Sequence, residues 1–298
     1  MKNKANKILF VSSMAVFGTL AVFIRNIKLS SGDAFPSGEI ALYRALLACF
    51  LIGIFLLIKK ERFHFNEIKK TLPLLLLSGI AMGANWIFLF EAYNYTSVST
   101  ATLSYYFAPV LVTIISPILF KEKLTAKQVV CFVMSTIGLV LITFAKDNSE
   151  YKSNVLGIVF GLSAAVLYAT VILLNKFIKN IDGIKRTFLQ FISSLFILIP
   201  YVFLTGGIHL GELNLTGASC LLIVGLVHTG VTYCMYFSSM KELEGQSVAI
   251  LSYIDPLIAV LLSVFLLKEP MNMQQIIGGG LILGFTLLNE IPIKIKKK

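Results

Sequence analysis

Apolar runs of about twenty residues, parted by short polar breaks, recur along the whole chain. About 20 apolar residues in a helix cross a ~30 Å hydrocarbon core. Read with that template, the sequence predicts spans at 8–27, 38–58, 72–94, 98–120, 125–145, 154–178, 184–204, 215–239, 245–267 and 271–291. Backbone amides in hydrocarbon must be satisfied within the segment, so the spans are expected to be α-helices. The expected fold class is therefore an all-α integral membrane protein with ten transmembrane helices. MKNKANK followed by Ile8–Ile24 has the outline of a signal peptide, but no small-residue cleavage motif follows. It reads as an uncleaved first helix. The longest polar stretch, Lys59 to Thr71, is a connector too short for a soluble catalytic domain.

Composition agrees. Of 298 residues, 57% are hydrophobic and only 14% charged, against about a quarter charged in soluble domains. The net charge of +11 could suggest a nucleic-acid partner, but it lies in short clusters between apolar runs. No basic domain could follow a phosphate backbone, so nucleic acid is set aside. The clusters instead give an orientation. With the N-terminus inside, twenty of the 26 Lys and Arg residues fall in cytoplasmic segments. Five (Arg25, Lys28, Lys146, Lys152 and Lys268) fall outside, and Arg44 lies within the second span. By the positive-inside rule, both ends are expected in the cytoplasm of a multi-pass inner (cytoplasmic) membrane protein. Cys49, Cys131, Cys220 and Cys234 sit in apolar segments without metal or redox spacing and read as packing residues.

The chain repeats itself. An offset of 147 lays YYFAPVLVTIISPILFKEKLT, residues 105 to 125, on SYIDPLIAVLLSVFLLKEPMN, residues 252 to 272. It pairs Tyr106 with Tyr253, Pro109 with Pro256, Ser116 with Ser263, Lys121 with Lys268 and Glu122 with Glu269. The same offset joins Gly83 to Gly230 and Trp86 to Tyr233, and a weaker match joins Phe17-Gly18-Thr19 to Tyr168-Ala169-Thr170. The polar break KDNSEYKSN, residues 146 to 154, divides the halves, 1–148 and 149–298. Five spans per half is an odd number, so similar halves face opposite ways. Such inverted repeats are a transporter architecture with the site near the midplane.

Phe17-Gly18, Arg44 in ALYRALLA, and the two blocks ending FKEKLT and LKEPMN resemble the EamA family of the drug/metabolite transporter superfamily. The resemblance covers essentially the whole chain in two repeats. Phe17 departs from it, standing where the family usually has Trp. The resemblance implies ten helices, a central cavity, alternating access and usually export of small metabolites. It also implies a basic residue at Arg44 and an acidic residue before Pro256.

Asp255 is the most conspicuous polar residue. A carboxylate at mid-span is costly and usually faces a cavity or a partner. Two readings stand: a proton carrier or ligand for a cationic group, and a structural ion pair. Pro109 and Pro256 read as hinges or polar openings in the backbone, with a packing kink as the plain alternative. Arg44 either snorkels to the outer interface or partners Asp255, Glu39, Glu91 or a solute carboxylate. His228 could relay a proton or simply pack. Trp86, Tyr106, Tyr168 and Tyr253 are expected to wall a cavity suited to amines or zwitterions, with Asn85 and Gln190 adding polar contacts. Glu122 and Glu269 read as caps of the helices that follow, and Pro270 as a residue of the first turn of the last span. Gly79/Gly83, Gly157/Gly161 and Gly280/Gly284 have spacing for close helix contact.

No nucleotide motif, metal cluster, nucleophile–base pair or cofactor motif stands out. The sequence therefore points to a carrier of a small organic metabolite such as an amino acid or amine, either secondary-active and proton-coupled or facilitative. Outward movement follows from the resemblance. An importer of the same fold and a membrane-embedded enzyme or lipid-handling protein are the alternatives. The expected partners are the solute and the bilayer, and a homodimer is compatible with the reading.

Overall fold

The computed structural model describes residues 2–31, 35–61, 63, 65–121, 124–145, 153–178, 181–240, 242–243 and 245–291. The expected boundary between the halves at 148/149, and Glu122, lie outside the described residues. The described residues are helical, with no strand among them. Helices α1 (Lys2–Ser30), α2 (Ser37–Ile58) and α3 (Phe65–Tyr95) come first. α4 (Val98–Tyr105) and α5 (Ala108–Phe120) follow as two parts of one span, then α6 (Ala126–Thr143). The second half holds α7 (Asn154–Asn175), α8 (Gly183–Leu204) and a span made of α9 (Leu215–Leu222), a π-helical stretch Ile223–Val231 and α10 (Thr232–Met240). It closes with α11 (Gly245–Ser252), α12 (Ile254–Phe265) and α13 (Met273–Glu290).

Among the described residues, eight helical stretches are long and apolar enough to cross a membrane, from Lys4–Ser30 to Leu215–Met240. The ninth expected span contains a shorter apolar helix, Ile250–Phe265, interrupted at Tyr253. The tenth carries Gln274, Gln275, Asn289 and Glu290 near its ends, which lowers its mean hydropathy.

The residues joined by the offset of 147 adopt matching local structure. The chain breaks its helix at Tyr106–Phe107 and again at Tyr253, so Pro109 and Pro256 sit in the first turns of α5 and α12. There the missing proline N–H costs no hydrogen bond, so the prolines begin helices rather than kink them. Lys121 and Lys268 both adopt φ 55° just past their helices. Thr125 with Gln128 forms a capping box on α6, and Asn272 with Gln275 forms one on α13. Two expectations change here. Asn272 caps α13 in place of Glu269, because the left-handed turn at Lys268 folds the chain back and leaves Glu269 N–H bonded to Ser263 O at 3.1 Å. Pro270 likewise lies ahead of the first turn of α13 rather than in it.

The halves interlock. α1 packs on α12, and α7 packs on α4 and α5. Gly18 of α1 lies against the Asp255 carbonyl and Ile258, while Ala169 of α7 clusters with Ala108 and Leu111. Shifted by 147, Ala108 and Leu111 are Asp255 and Ile258, so the two crossings are equivalent. Gly79 and Gly83 meet α8, and Gly157 and Gly161 meet Thr96 and α4. Gly280 and Gly284 face open space, and Gly278 and Gly279 make the close contacts with Gly138, Ile142 and Leu103. The GGG run places its contact face one or two residues earlier than small-residue spacing suggests.

One polar tie fixes the loop between α8 and α9. His209 Nδ1 lies 2.5 Å from Glu39 Oε1, and the His209 backbone N–H donates to the same carboxylate at 3.0 Å. Glu39 is fully buried in the first turn of α2. Its hydrogen bond, with Glu212 adding attraction, raises the His209 pKa above the ordinary imidazole value. The folded-state value lies above the unfolded one, so protonated His209 stabilises the fold below the ordinary imidazole range. That share is lost as pH rises through the raised value. The gap in melting temperature between wild type and His209→Ala should therefore narrow as pH rises above the ordinary imidazole range. A pH-independent gap in thermal scans would contradict this.

Candidate functional site

A cavity of about 550 Å³ lies between the halves. Such a volume accommodates small organic ligands. Its wall draws on α1, α2, α3, α7, α8, α10, α13 and the two spans broken at Tyr106 and Tyr253. At one end it reaches Asn175, Met240 and Glu290, the last residues of α7, α10 and α13; we call this end the mouth. At the other it stops near Arg44, Tyr93 and Thr102.

Of the residues singled out in the sequence, Asp255, Arg44, Trp86, Asn85, Tyr106, Tyr253, Tyr168, Gln190 and Pro109 line this cavity. Asp255 stands at the start of α12, and Tyr106, in the break between α4 and α5, donates its hydroxyl to Asp255 Oδ2. The two interrupted spans thus meet through a tyrosine of one half and the aspartate of the other.

Arg44 is buried, at 3% exposure. Its Nε donates to Thr229 Oγ1 at 2.8 Å, and its guanidinium lies 4.4 Å from the centre of the Trp86 ring and 5.7 Å from Phe90. Stacking on an aromatic face stabilises a desolvated cation by about 2 kcal/mol. Neither Asp255, Glu39 nor Glu91 forms an ion pair with it, and no carboxylate lies within 4.0 Å among the described residues. Glu39 is held by His209, and Glu91 accepts from Ser37 and Asn94.

The π-helical stretch provides the Arg44 anchor. Thr229 and Thr232 donate to carbonyls five residues earlier, Val224 and Val227, which suits the wider turn. Wide turns of this kind are frequent at functional sites. Gly225 and Gly230 admit Leu47 and Leu51 of α2, bringing the two helices close at Arg44.

The remaining walls are aromatic. Tyr105 stacks on Tyr168 at 5.3 Å, and Phe17 meets Tyr233 edge-on at 5.0 Å. Phe191 links Trp86 to Tyr233, joining the offset-paired positions 86 and 233 through a third ring. Asn85 donates to the Ala164 carbonyl at 2.6 Å, and Gln190 donates to Ser78 and Asn175. These amides tie α3 to α7 and α8 to α3 and α7 while lining the cavity.

His228 and Pro256 are not in the lining. His228 is buried behind it, 2.7 Å from Thr19 Oγ1 and against the Phe23 ring. Sequence reasoning missed Arg186 and Glu290, which line the mouth, and Thr229. Arg186 counts toward the positive-inside charge and Glu290 ends the last span, so both resemble ordinary interface charges. Thr229 carries no sequence signal, because the π-turn decides where it points.

The EamA-like transporter family model matches residues 6–144 and again 155–290. The chain belongs to the EamA-like transporter family. This EamA protein is 29% identical over 286 residues to an uncharacterized transporter, YxxF, of Bacillus subtilis (strain 168), covering 93% of this chain and 87% of that one. An uncharacterized transporter of Archaeoglobus fulgidus is 28% identical over 281 residues, covering 93% of each. A solved crystal structure superposes with a TM-score of 0.64 at 15% identity, covering 95% of this chain and 96% of the other; it shows the fold alone. Family, relatives and apolar helices together place the EamA protein as a multi-pass transporter of the cell membrane.

Proposed function

We propose that this EamA protein carries a small organic metabolite, such as an amino acid or amine, outward by alternating access. Its two halves, 1–148 and 149–298, act as inverted five-helix repeats with both termini cytoplasmic. The observation that carries this reading is Arg44 and Asp255 in one aromatic cavity, Arg44 having no carboxylate within 4.0 Å among the described residues. A buried cation that no carboxylate contacts is expensive, which favours an anionic group arriving with the solute. Tyr106, Tyr168, Tyr253 and Trp86 form the wall. Asp255 receives a proton or a cationic group, and the helix starts at Pro109 and Pro256 act as hinges. His228 supports the wall from behind. The matched caps, the equivalent crossings and the twice-matched family model support the repeat. The Lys and Arg distribution supports the orientation. The outward direction follows the family resemblance.

Purified protein in liposomes tests the reading with a panel of labelled amino acids and amines under an imposed pH gradient. Flux of at least one unchanged solute, responding to the gradient, is the expected result. Asp255→Asn should remain folded and lose the response to the gradient. A chemically altered product, or no flux across the panel, would count against the carrier. An unchanged pH response in the folded variant would remove the proton from Asp255.

A further inference from the structure

Beyond the cavity, at the end opposite the mouth, lies a buried polar cluster that solute binding does not use. Arg25, one turn past the last cavity residue of α1, donates to Glu269 Oε1 at 2.8 Å. It also donates to the carbonyls of Tyr93 at 2.6 Å and Thr96 at 3.3 Å. Glu269 Oε2 accepts from the Val98 backbone N–H at 2.7 Å and from the Ser263 hydroxyl. The side chains of Arg25 and Glu269 are only 15% and 5% exposed. One carboxylate thus joins three places: the last turns of α1, the junction of α3 with α4, and the chain leaving α12.

The position of this cluster gives it a role. α1 and α12 cross at Gly18 and Asp255, so relative motion of the halves about that crossing separates Arg25 from Glu269 first at the far end. Val98 N–H is an open donor at the start of α4, and Glu269 satisfies it from the other half. Each bond is buried while this end is shut and can be exchanged for water when it opens. The pseudo-equivalent end carries similar chemistry. Lys176, 151 residues after Arg25, donates to Ser116, the counterpart of Ser263, at 2.9 Å.

We infer that the Arg25–Glu269 pair, with Val98 and Ser263, is the latch that seals the cavity at the end away from the mouth, and that each transport cycle must break and remake it. Arg25 and Glu269 are positioning residues and touch no solute. The inference rests on the carrier reading, but its test needs no solute.

Leu20 lines the cavity below the latch, so Leu20→Cys reports access to it. The reporter is labelled with a membrane-impermeant maleimide, applied to sealed membranes from each side in turn. The protein without the added cysteine serves as background, since it has four cysteines of its own. Glu269→Gln and Arg25→Gln should each raise labelling from the latch side by fivefold or more. Arg25→Lys, which keeps a cation, should give a smaller rise. In a further variant that also carries the reporter, Arg25→Cys and Glu269→Cys are bridged by a reducible cross-linker. Labelling of the reporter from the latch side, taken relative to the same bridged variant with Leu20 retained, should fall to background and return on reduction. Rates unchanged in the folded single variants, or undiminished labelling of the bridged protein, would overturn the latch. Flux in liposomes is read separately, so a failed latch with intact flux leaves the carrier standing.

Discussion

Replacing Arg44 with alanine should reduce solute flux by about tenfold to about a hundredfold at low solute concentration, with little loss of stability. A hydrogen bond to a charged group contributes about 1.5–3 kcal/mol, and each 1.4 kcal/mol is tenfold. The fold gives up the stacking on Trp86 and Phe90, which the relieved desolvation of a buried charge offsets. Thr229, which accepts from Arg44, keeps its own bond to the Val224 carbonyl, and no described carboxylate is left unpaired. Removing a buried charge that no carboxylate contacts also removes its desolvation cost. Arg44→Lys should fall between the two. It keeps the charge but loses the Nε bond at 2.8 Å and the flat stacking on Trp86 at 4.4 Å. Initial rates in liposomes, beside thermal unfolding of the same preparations, measure both effects. Wild-type flux for every solute in the Arg44→Ala protein would remove this residue from the site.

Gly18→Ala should cost stability and flux together. A Cβ at Gly18 would lie 2.6 Å from the Asp255 carbonyl oxygen and 2.7 Å from Ile258 Cβ. Neither atom is the free end of a flexible side chain, so α1 and α12 must move apart. Overpacking of this kind costs about 1–3 kcal/mol. The shift would carry Asp255 away from the Tyr106 hydroxyl and loosen the cavity wall. The equivalent crossing offers a control, because Ala169 already carries a methyl group there. Ala169→Gly should cost about 1 kcal/mol of helix propensity without a clash. If Gly18→Ala melts and transports like the wild type, this crossing is not the tight contact described.

Much of the fold was legible because lipid imposes simple rules. Apolar length predicts helices, and the offset of 147 locates paired prolines and paired lysines from the sequence alone. Trp86, Tyr106, Tyr168 and Tyr253, expected as cavity walls, do line the cavity. What stayed hidden depends on the approach of distant segments. Arg44 was matched with carboxylates by charge, yet a hydroxyl and two ring faces hold it. Glu269 looked like a cap for the helix after it, and it instead serves the start of α4, 171 residues earlier. Asn85 and Gln190 read as solute contacts, and each also holds two helices together. Single-sequence periodicity carries no information on such pairings, which arise only when the halves interlock.

The π-helical stretch makes chain length itself a constraint. Deleting any one residue between Ile223 and Val231 would let the backbone close into an ordinary α-helix, a change that sequence comparison would score as minor. The wide turn takes up one residue more than an α turn needs, so the helix on either side would stay close to register and the change would fall on the residues inside the stretch. Thr229, inside the stretch, would lose its bond to the carbonyl five residues earlier and its placement against Arg44, although its identity had not changed. At this place in the protein an indel is a more severe lesion than most substitutions.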